Sequence, residues 1–337
     1  MTYQEVITAA RGQMGPCRSC PVCDGRACRN TIPGPGAKGV GDVAIRNYAA
    51  WQAIRVNMDT ICPSGTPDTA FSLFGRTFRV PVLAGPVGAV KLHYGEKYDD
   101  LQYNDILVPA CRVAGIAAFT GDGTDPAVME AACKAVGACG GFGIPTVKPW
   151  DSGTVAQKVK LVKEAGAFAM AMDIDAAGLP FLKNLDPPAG SKTQTELAAI
   201  IADAGLPFLV KGVMTARGAE KAARAGAAAI VVSNPGGRVL DQTPATAEML
   251  PEIAAAVGRQ VKILVDGGIR TGVDVFKALA LGADGVLIAR PFVNAVYGGG
   301  AEGVRALTDK LAAELADTMT MCGAGSLAEI TGDMVRR

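Results

Sequence analysis

From residue 80 onward the chain alternates between two hydrophobic patterns. One is a set of short runs that are apolar at consecutive positions: "VPVLAG" from Val80, "IAAFTG" from Ile116, "GGFGIP" from Gly140, "AFAMAMD" from Ala167, "PFLVKG" from Pro207, "AAIVVSN" from Ala228, "VKILVDGG" from Val261 and "GVLIAR" from Gly285. Each is too short for a helix and apolar on both faces, which is what a parallel strand covered by helices requires. The other pattern, in "AVMEAACKAV", "TVAQKVKLVKEAG", "ARGAEKAARAG" and "VDVFKALALG", places apolar residues at helical spacing and often stops at Gly. Strand and helix alternating eight times predict an α/β fold of the (β/α)8 TIM barrel type. A doubly wound sheet is the alternative, but no early G-x-G-x-x-G follows a first strand.

The barrel is expected over residues 80–337, preceded by a Cys-rich N-terminal extension over 1–79. That extension reads as a helix near 2–12, a Cys/Gly/Pro segment from 15 to 41 and a helix near 42–57. The longest interior break runs from Ile174 to Lys192 and includes "DPPAGSK"; it is the loop after strand four.

Composition narrows the partners. With 33 basic residues against 32 acidic ones and no basic cluster, nothing marks a nucleic-acid face. No run reaches the roughly 18 uninterrupted apolar residues of a membrane span, and the N-terminus lacks a signal-peptide core. A cytoplasmic protein is expected. Nine cysteines, an odd number with five scattered singly, fit a reducing compartment better than a disulfide framework.

In such a barrel the reactive groups sit on the loops after the strands, and here those ends are polar. Strand five ends in Lys211, strand six in Ser233 and Asn234, strand seven in "DGGIR" (Asp266, Gly267, Gly268, Ile269, Arg270), and strand eight in Ala289 and Arg290. Glycine-rich turns after the last two strands, each opening a helix, predict a phosphate pocket to which Arg270 and Arg290 add charge. A lysine ending strand five suits a cofactor ring that gathers negative charge on reduction.

The stretches "LPFLVKGVMTARGAEKAARAGAAAIVVSN", "GGRVLDQTPAT", "ILVDGGIRTGVDVFKALALGADGVLIARPF" and "ELADTMTMCGAGSLAEI" resemble the C-terminal half of the FMN-dependent α-hydroxy-acid oxidase and dehydrogenase family. The front half is similar in outline only, through "GAKGVGDVAIRNYAAWQAI" and "VPVLAGPVG". The resemblance implies an FMN oxidoreductase. Lys211 would meet the flavin ring and Ser233 its edge. Asp266, Gly267, Gly268, Arg270, Ala289 and Arg290 would face the ribityl phosphate, and Arg238 would bind a substrate carboxylate through its planar fork. A small acidic substrate, an electron acceptor of unknown identity and a homo-oligomer are expected.

Against that family pattern, the turn reads "SNPGG", with Pro235 where the resembling enzymes carry a histidine base. The single histidine, His93 in "KLHYGEKY", reads as structural, and the family's substrate-side tyrosines are missing, with Pro145 near one expected position. Asp173, closing strand four, matches the carboxylate that orients the family's histidine. It is a candidate base if burial raises its pKa, or else a leftover carboxylate pairing with an arginine. A different small carboxylate or carbonyl substrate is therefore expected. Two alternatives stand beside this reading: a redox-neutral flavin isomerase like the type 2 isopentenyl diphosphate isomerases, and a non-catalytic flavin or iron–sulfur redox sensor or electron carrier.

The extension contains "CRSCPVCDGRAC", with Cys17, Cys20, Cys23 and Cys28 spaced C-x2-C-x2-C-x4-C. The first three match a bacterial iron–sulfur run; the last gap is one residue longer, and Arg29 replaces the usual proline. A [4Fe-4S] cluster, a zinc ion or redox-active thiols, and a plain loop are all open readings.

Overall fold

A computed structural model describes every residue except 180, 181, 183, 185, 187 and 188, so part of the break expected after strand four lies outside the described residues. The eight apolar runs form the eight strands of one sheet: β1 (Val82–Ala84), β2 (Phe119–Thr120), β3 (Ile144–Val147), β4 (Met170–Asp173), β5 (Phe208–Val213), β6 (Ala229–Val232), β7 (Lys262–Val265) and β8 (Gly285–Ile288). Neighbours pair in parallel from β2 through β8, β8 pairs β1, and a parallel bridge from Ala84 to Ala118 joins β1 to β2, so the sheet closes into a barrel. The third run was read four residues early, because "GGFG" is the turn that precedes β3.

Helices α1 (Tyr3–Ala10), α2 (Val43–Ala53), α3 (Val90–Tyr94), α4 (Asp100–Val113), α5 (Pro126–Ala138), α6 (Ser152–Glu164), α7 (Gln194–Ala204), α8 (Ala216–Arg224), α9 (Thr246–Val257), α10 (Gly272–Ala280) and α11 (Arg290–Met321) follow in order. Side-chain caps start many of them: Asp99, Asp125, Asp151, Thr193, Thr215 and Thr271 each accept a first-turn N–H. None of these helices is long and apolar enough to cross a membrane, among the described residues.

The strand period of two sorts side chains between two cores. Leu83, Phe119, Ile144, Ala171, Leu209, Val231, Leu264 and Leu287 fill the barrel interior, while Val82, Met172, Val210, Ile230, Ile263 and Val286 pack outward with the helices. The hairpin Phe71–Leu73/Arg76–Phe78 closes the lower end, burying Phe71, Leu73 and Phe78 against the inner layer. Residues before 80 lie against the barrel: α1 buries Val6, Ile7 and Ala10, and Arg55–Val56 pairs antiparallel with Val335–Arg336.

Candidate active site

The period that points Leu209 inward points Lys211 inward one layer higher, and the same step carries Ala171 to Asp173, Val231 to Ser233, Leu264 to Asp266 and Leu287 to Ala289. The upper mouth of the barrel is therefore polar where the layer beneath is apolar. One cavity occupies it, lined among others by Asp173, Lys211, Arg238, Asp266, Gly267, Gly268, Arg270, Ala289 and Arg290. Of the residues expected at the cofactor, Ser233 alone sits behind the lining, fully buried, its Oγ accepting from Lys211 Nζ at 3.0 Å.

Lys211 is the centre of the charge. Its Nζ stands 3.4 Å from Asp173 Oδ1 and 3.3 Å from Asp266 Oδ2, with the side chain almost wholly buried. Burial opposes its charge, but Asp266, Asp173 and Asp175 outweigh it and hold the ammonium well above the usual lysine range. Asp173 also has Lys148 Nζ 3.7 Å from its Oδ2. Burial pushes its pKa up and the two lysines pull it down, with a net lowering. The expectation that burial would raise the Asp173 pKa is therefore reversed: two ammonium groups keep this carboxylate ionised and engaged.

Helix α2 fixes the two glycine turns from outside. Asn47 and Asn234 exchange side-chain hydrogen bonds of 2.7 and 3.0 Å, Asn234 Oδ1 also accepts from Gly236 N, and Trp51 Nε1 donates to Gly267 O at 2.8 Å. At Gly268 the φ is +89°, and a Cβ would lie 2.5 Å from the backbone carbonyl of Asn47. This glycine is thus needed first for the close approach of α2, a reason distinct from the phosphate approach expected from sequence.

Arg270 and Arg290 both line the cavity. Arg270 Nε donates to Cys23 O at 2.7 Å and Nη2 lies 3.7 Å from Cys23 Sγ, while Arg290 Nη1 lies 3.7 Å from Cys28 Sγ. The Cys-rich segment therefore lies against the barrel mouth, with two of its thiols turned to the arginines. Cys17 makes a different contact, 3.6 Å from Asn294 Oδ1, and all four cysteines are free. Among the described residues no group of three or more His, Cys, Asp or Glu is arranged to hold a metal. The cluster and zinc readings of Cys17, Cys20, Cys23 and Cys28 thus find no preformed site among the described residues, where Arg270 and Arg290 contact Cys23 and Cys28.

Arg238 lines the same cavity; its Nη1 donates to Gly34 O and Nη2 is 3.4 Å from His93 Nε2. His93 Nδ1 accepts from Gly34 N at 3.1 Å. Burial, then Arg238 and Lys148, lower its pKa to about 3, so the ring is neutral. Pro235 lines the same cavity with φ +26°, far from the value of about −65° that a pyrrolidine ring favours.

Three lining residues escaped the sequence reading: Lys148, Asp175 and the cavity-facing role of His93. Lys148 had a legible signal, since it closes the strand-three run one residue beyond "IPTV". Asp175 and His93 had none, because a short 3₁₀ turn at Ile174–Gly178 and a bend before α3 decide where they point.

The profile of the FMN-dependent dehydrogenase family matches residues 35–184 and 184–337. A peroxisomal (S)-2-hydroxyacid oxidase of Arabidopsis thaliana is 31% identical over 325 residues, covering 86% of this chain and 87% of that protein. An L-lactate oxidase of a Roseobacter species is 44% identical over 143 residues, 42% of this chain and 39% of that one. A mandelate oxidase mutant solved with (S)-mandelic acid superposes with a TM-score of 0.76 at 28% identity over 90% of this chain and 91% of its own. A second structure of the mutant, holding a C4a-OH-FMN adduct, gives 0.77 at 29% identity over 88% of this chain and 92% of its own.

Proposed function

The chain belongs to the FMN-dependent dehydrogenase family, and from that premise we propose that it oxidises a small α-hydroxy carboxylate with a proton-transfer arrangement that does without a histidine at Pro235. The observation that carries the reading is that one cavity is lined by Arg270, Arg290 and the Gly267–Gly268 turn, by Lys211 with its carboxylates, and by Arg238.

The residues present fit FMN. Two guanidinium groups and the Gly267–Gly268 backbone suit a phosphate dianion, and Asp266 Oδ1, buried with no hydrogen-bond partner, suits a ribityl hydroxyl. Lys211 is a fixed positive charge with its pKa held high, the kind of group that favours negative charge on a reduced ring. When bound, FMN supplies a two-electron acceptor.

Arg238 and His93 fit the carboxylate of the substrate. Arg238 Nη2 stands 3.4 Å from His93 Nε2 in the cavity lining, and the planar guanidinium fork suits a carboxylate. Pro235 offers no titratable group, so the proton of the substrate hydroxyl has to go elsewhere than in the relatives.

Anaerobic mixing of FMN-loaded protein with a panel of 2-hydroxy acids tests the reading. At least one acid bleaches the flavin absorbance, and Arg238→Met raises the concentration needed. A flavin that dithionite bleaches and no hydroxy acid does would overturn it.

A further inference from the structure

We infer that Asp175 is the group that takes the proton from the substrate, an inference that rests on the hydroxy-acid reading above. Both carboxyl oxygens of Asp175 are buried and neither has a hydrogen-bond partner among the described residues, yet the residue lines the same cavity as Arg238 and Lys211. The fold makes room for it deliberately. Strand β5 breaks register between Lys211 and Val213, Gly212 takes φ +99°, and a Cβ on Gly212 would lie 2.3 Å from Asp175 Cγ. The missing side chain of Gly212 is thus the seat of the carboxyl. The turn that carries it packs on the loop after Arg238: a Cβ at Gly178 would be 3.0 Å from Val239 O.

A charge count decides which carboxyl holds a proton. Asp173, Asp175 and Asp266 face two ammonium groups, Lys211 and Lys148. Asp173 has both lysines within 4 Å and Asp266 has Lys211, whereas among the described residues Asp175 forms no ion pair within that distance. Burial therefore acts on Asp175 largely unopposed: it raises the pKa, Lys211 lowers it, Asp173 and Asp266 raise it, Lys148 lowers it, and the result is about 7. A group balanced near neutrality can accept a proton and give it up again. In the reaction the substrate O–H bond breaks and its proton joins a carboxylate oxygen of Asp175. The C–O bond would become C=O as the α-hydrogen left with its electron pair, for which bound FMN would supply the two-electron acceptor. Asp175 then releases the proton to solvent.

Asp175→Asn replaces the carboxyl with a neutral amide of the same shape, and three readouts follow. In FMN-free protein the infrared carbonyl band of a protonated carboxyl should fade as pH rises through about 7, and the variant should lack it. For stability, a folded pKa above the unfolded value of about 3.9 means that the native state binds more protons between the two, so stability falls as pH rises through that window. The variant should therefore melt higher than wild type at about pH 8 and converge with it at about pH 4. In loaded enzyme, flavin reduction should rise with pH through the same titration, and the variant should lose that limb with ~10²–10⁴ of the rate. A variant that melts lower than wild type at alkaline pH, or that keeps the wild-type rate and pH profile, would overturn the inference. If no acid reduces the flavin, the hydroxy-acid reading falls, and the infrared titration still decides whether Asp175 exchanges a proton near neutrality.

Discussion

Lys148 Nζ lies 3.7 Å from Asp173 Oδ2, so the carboxylate that ends β4 has a lysine partner in a chain whose β6 turn carries Pro235. The pairing explains how an aspartate stays ionised in a buried site without a histidine beside it. Restoring that histidine means competing with an existing ion pair.

Pro235→His on its own should give a modest gain in hydroxy-acid turnover, and Pro235→His with Lys148→Gln a larger one, toward the ~10²–10⁴ of general-base catalysis. Steady-state rates with lactate and glycolate check this. Equal rates in the two variants would mean that Lys148 does not hold Asp173 away from a new partner.

Lys211→Met should cost ~3–5 kcal/mol at neutral pH, because it strands Asp173 and Asp266 against each other in a buried site. The depressed pKa of Asp173 supplies stability above its unfolded value that is lost as pH falls through the folded one. Without Lys211 most of that depression goes, so the gap to wild type should narrow as pH drops from neutral toward about 4. Melting curves across that range read the effect.

Arg290→Glu should weaken FMN binding by more than the ~10–100-fold expected for losing one charged hydrogen bond, since it also repels the phosphate. Quenching of FMN fluorescence on titration gives the affinity.

Cys23 should alkylate faster than Cys20 at neutral pH. Burial pushes the Cys23 thiol up, but Arg270 and Arg290 bring it below the ordinary cysteine value, whereas Cys20 is raised. FMN loading should slow Cys23, because a bound phosphate draws on the same two arginines. Mass-spectrometric labelling with and without FMN measures both effects.

Gly268→Ala should destabilise by ~1–3 kcal/mol through overpacking against Asn47, with a further loss from the left-handed backbone. Thermal unfolding of FMN-free protein isolates this from cofactor binding.

The chain's local pattern determined the barrel. Eight apolar runs mark eight strands because a strand buried on both faces cannot carry polar residues, and the helices between them show their period and caps openly. The polar strand ends were legible for the same reason: Lys211 and Asp266 sit two residues beyond buried leucines, so the pleat that points Leu209 and Leu264 inward points them inward too. Sequence could not say how these charges pair, because pairing depends on distances between strands far apart in the chain. Asp173 read as either a base or a leftover carboxylate pairing with an arginine until Lys148 and Lys211 were found on either side of it, and Asp175 was invisible until a bulge at Gly212 made a seat for it. The cysteine spacing suggested ligands, but spacing along a loop does not fix where thiols point. Arg270 and Arg290, more than 240 residues away, took two of them instead. Periodicity is a property of neighbours in sequence and survives into the fold; electrostatic partnership is a property of neighbours in space, and only closing the barrel created it.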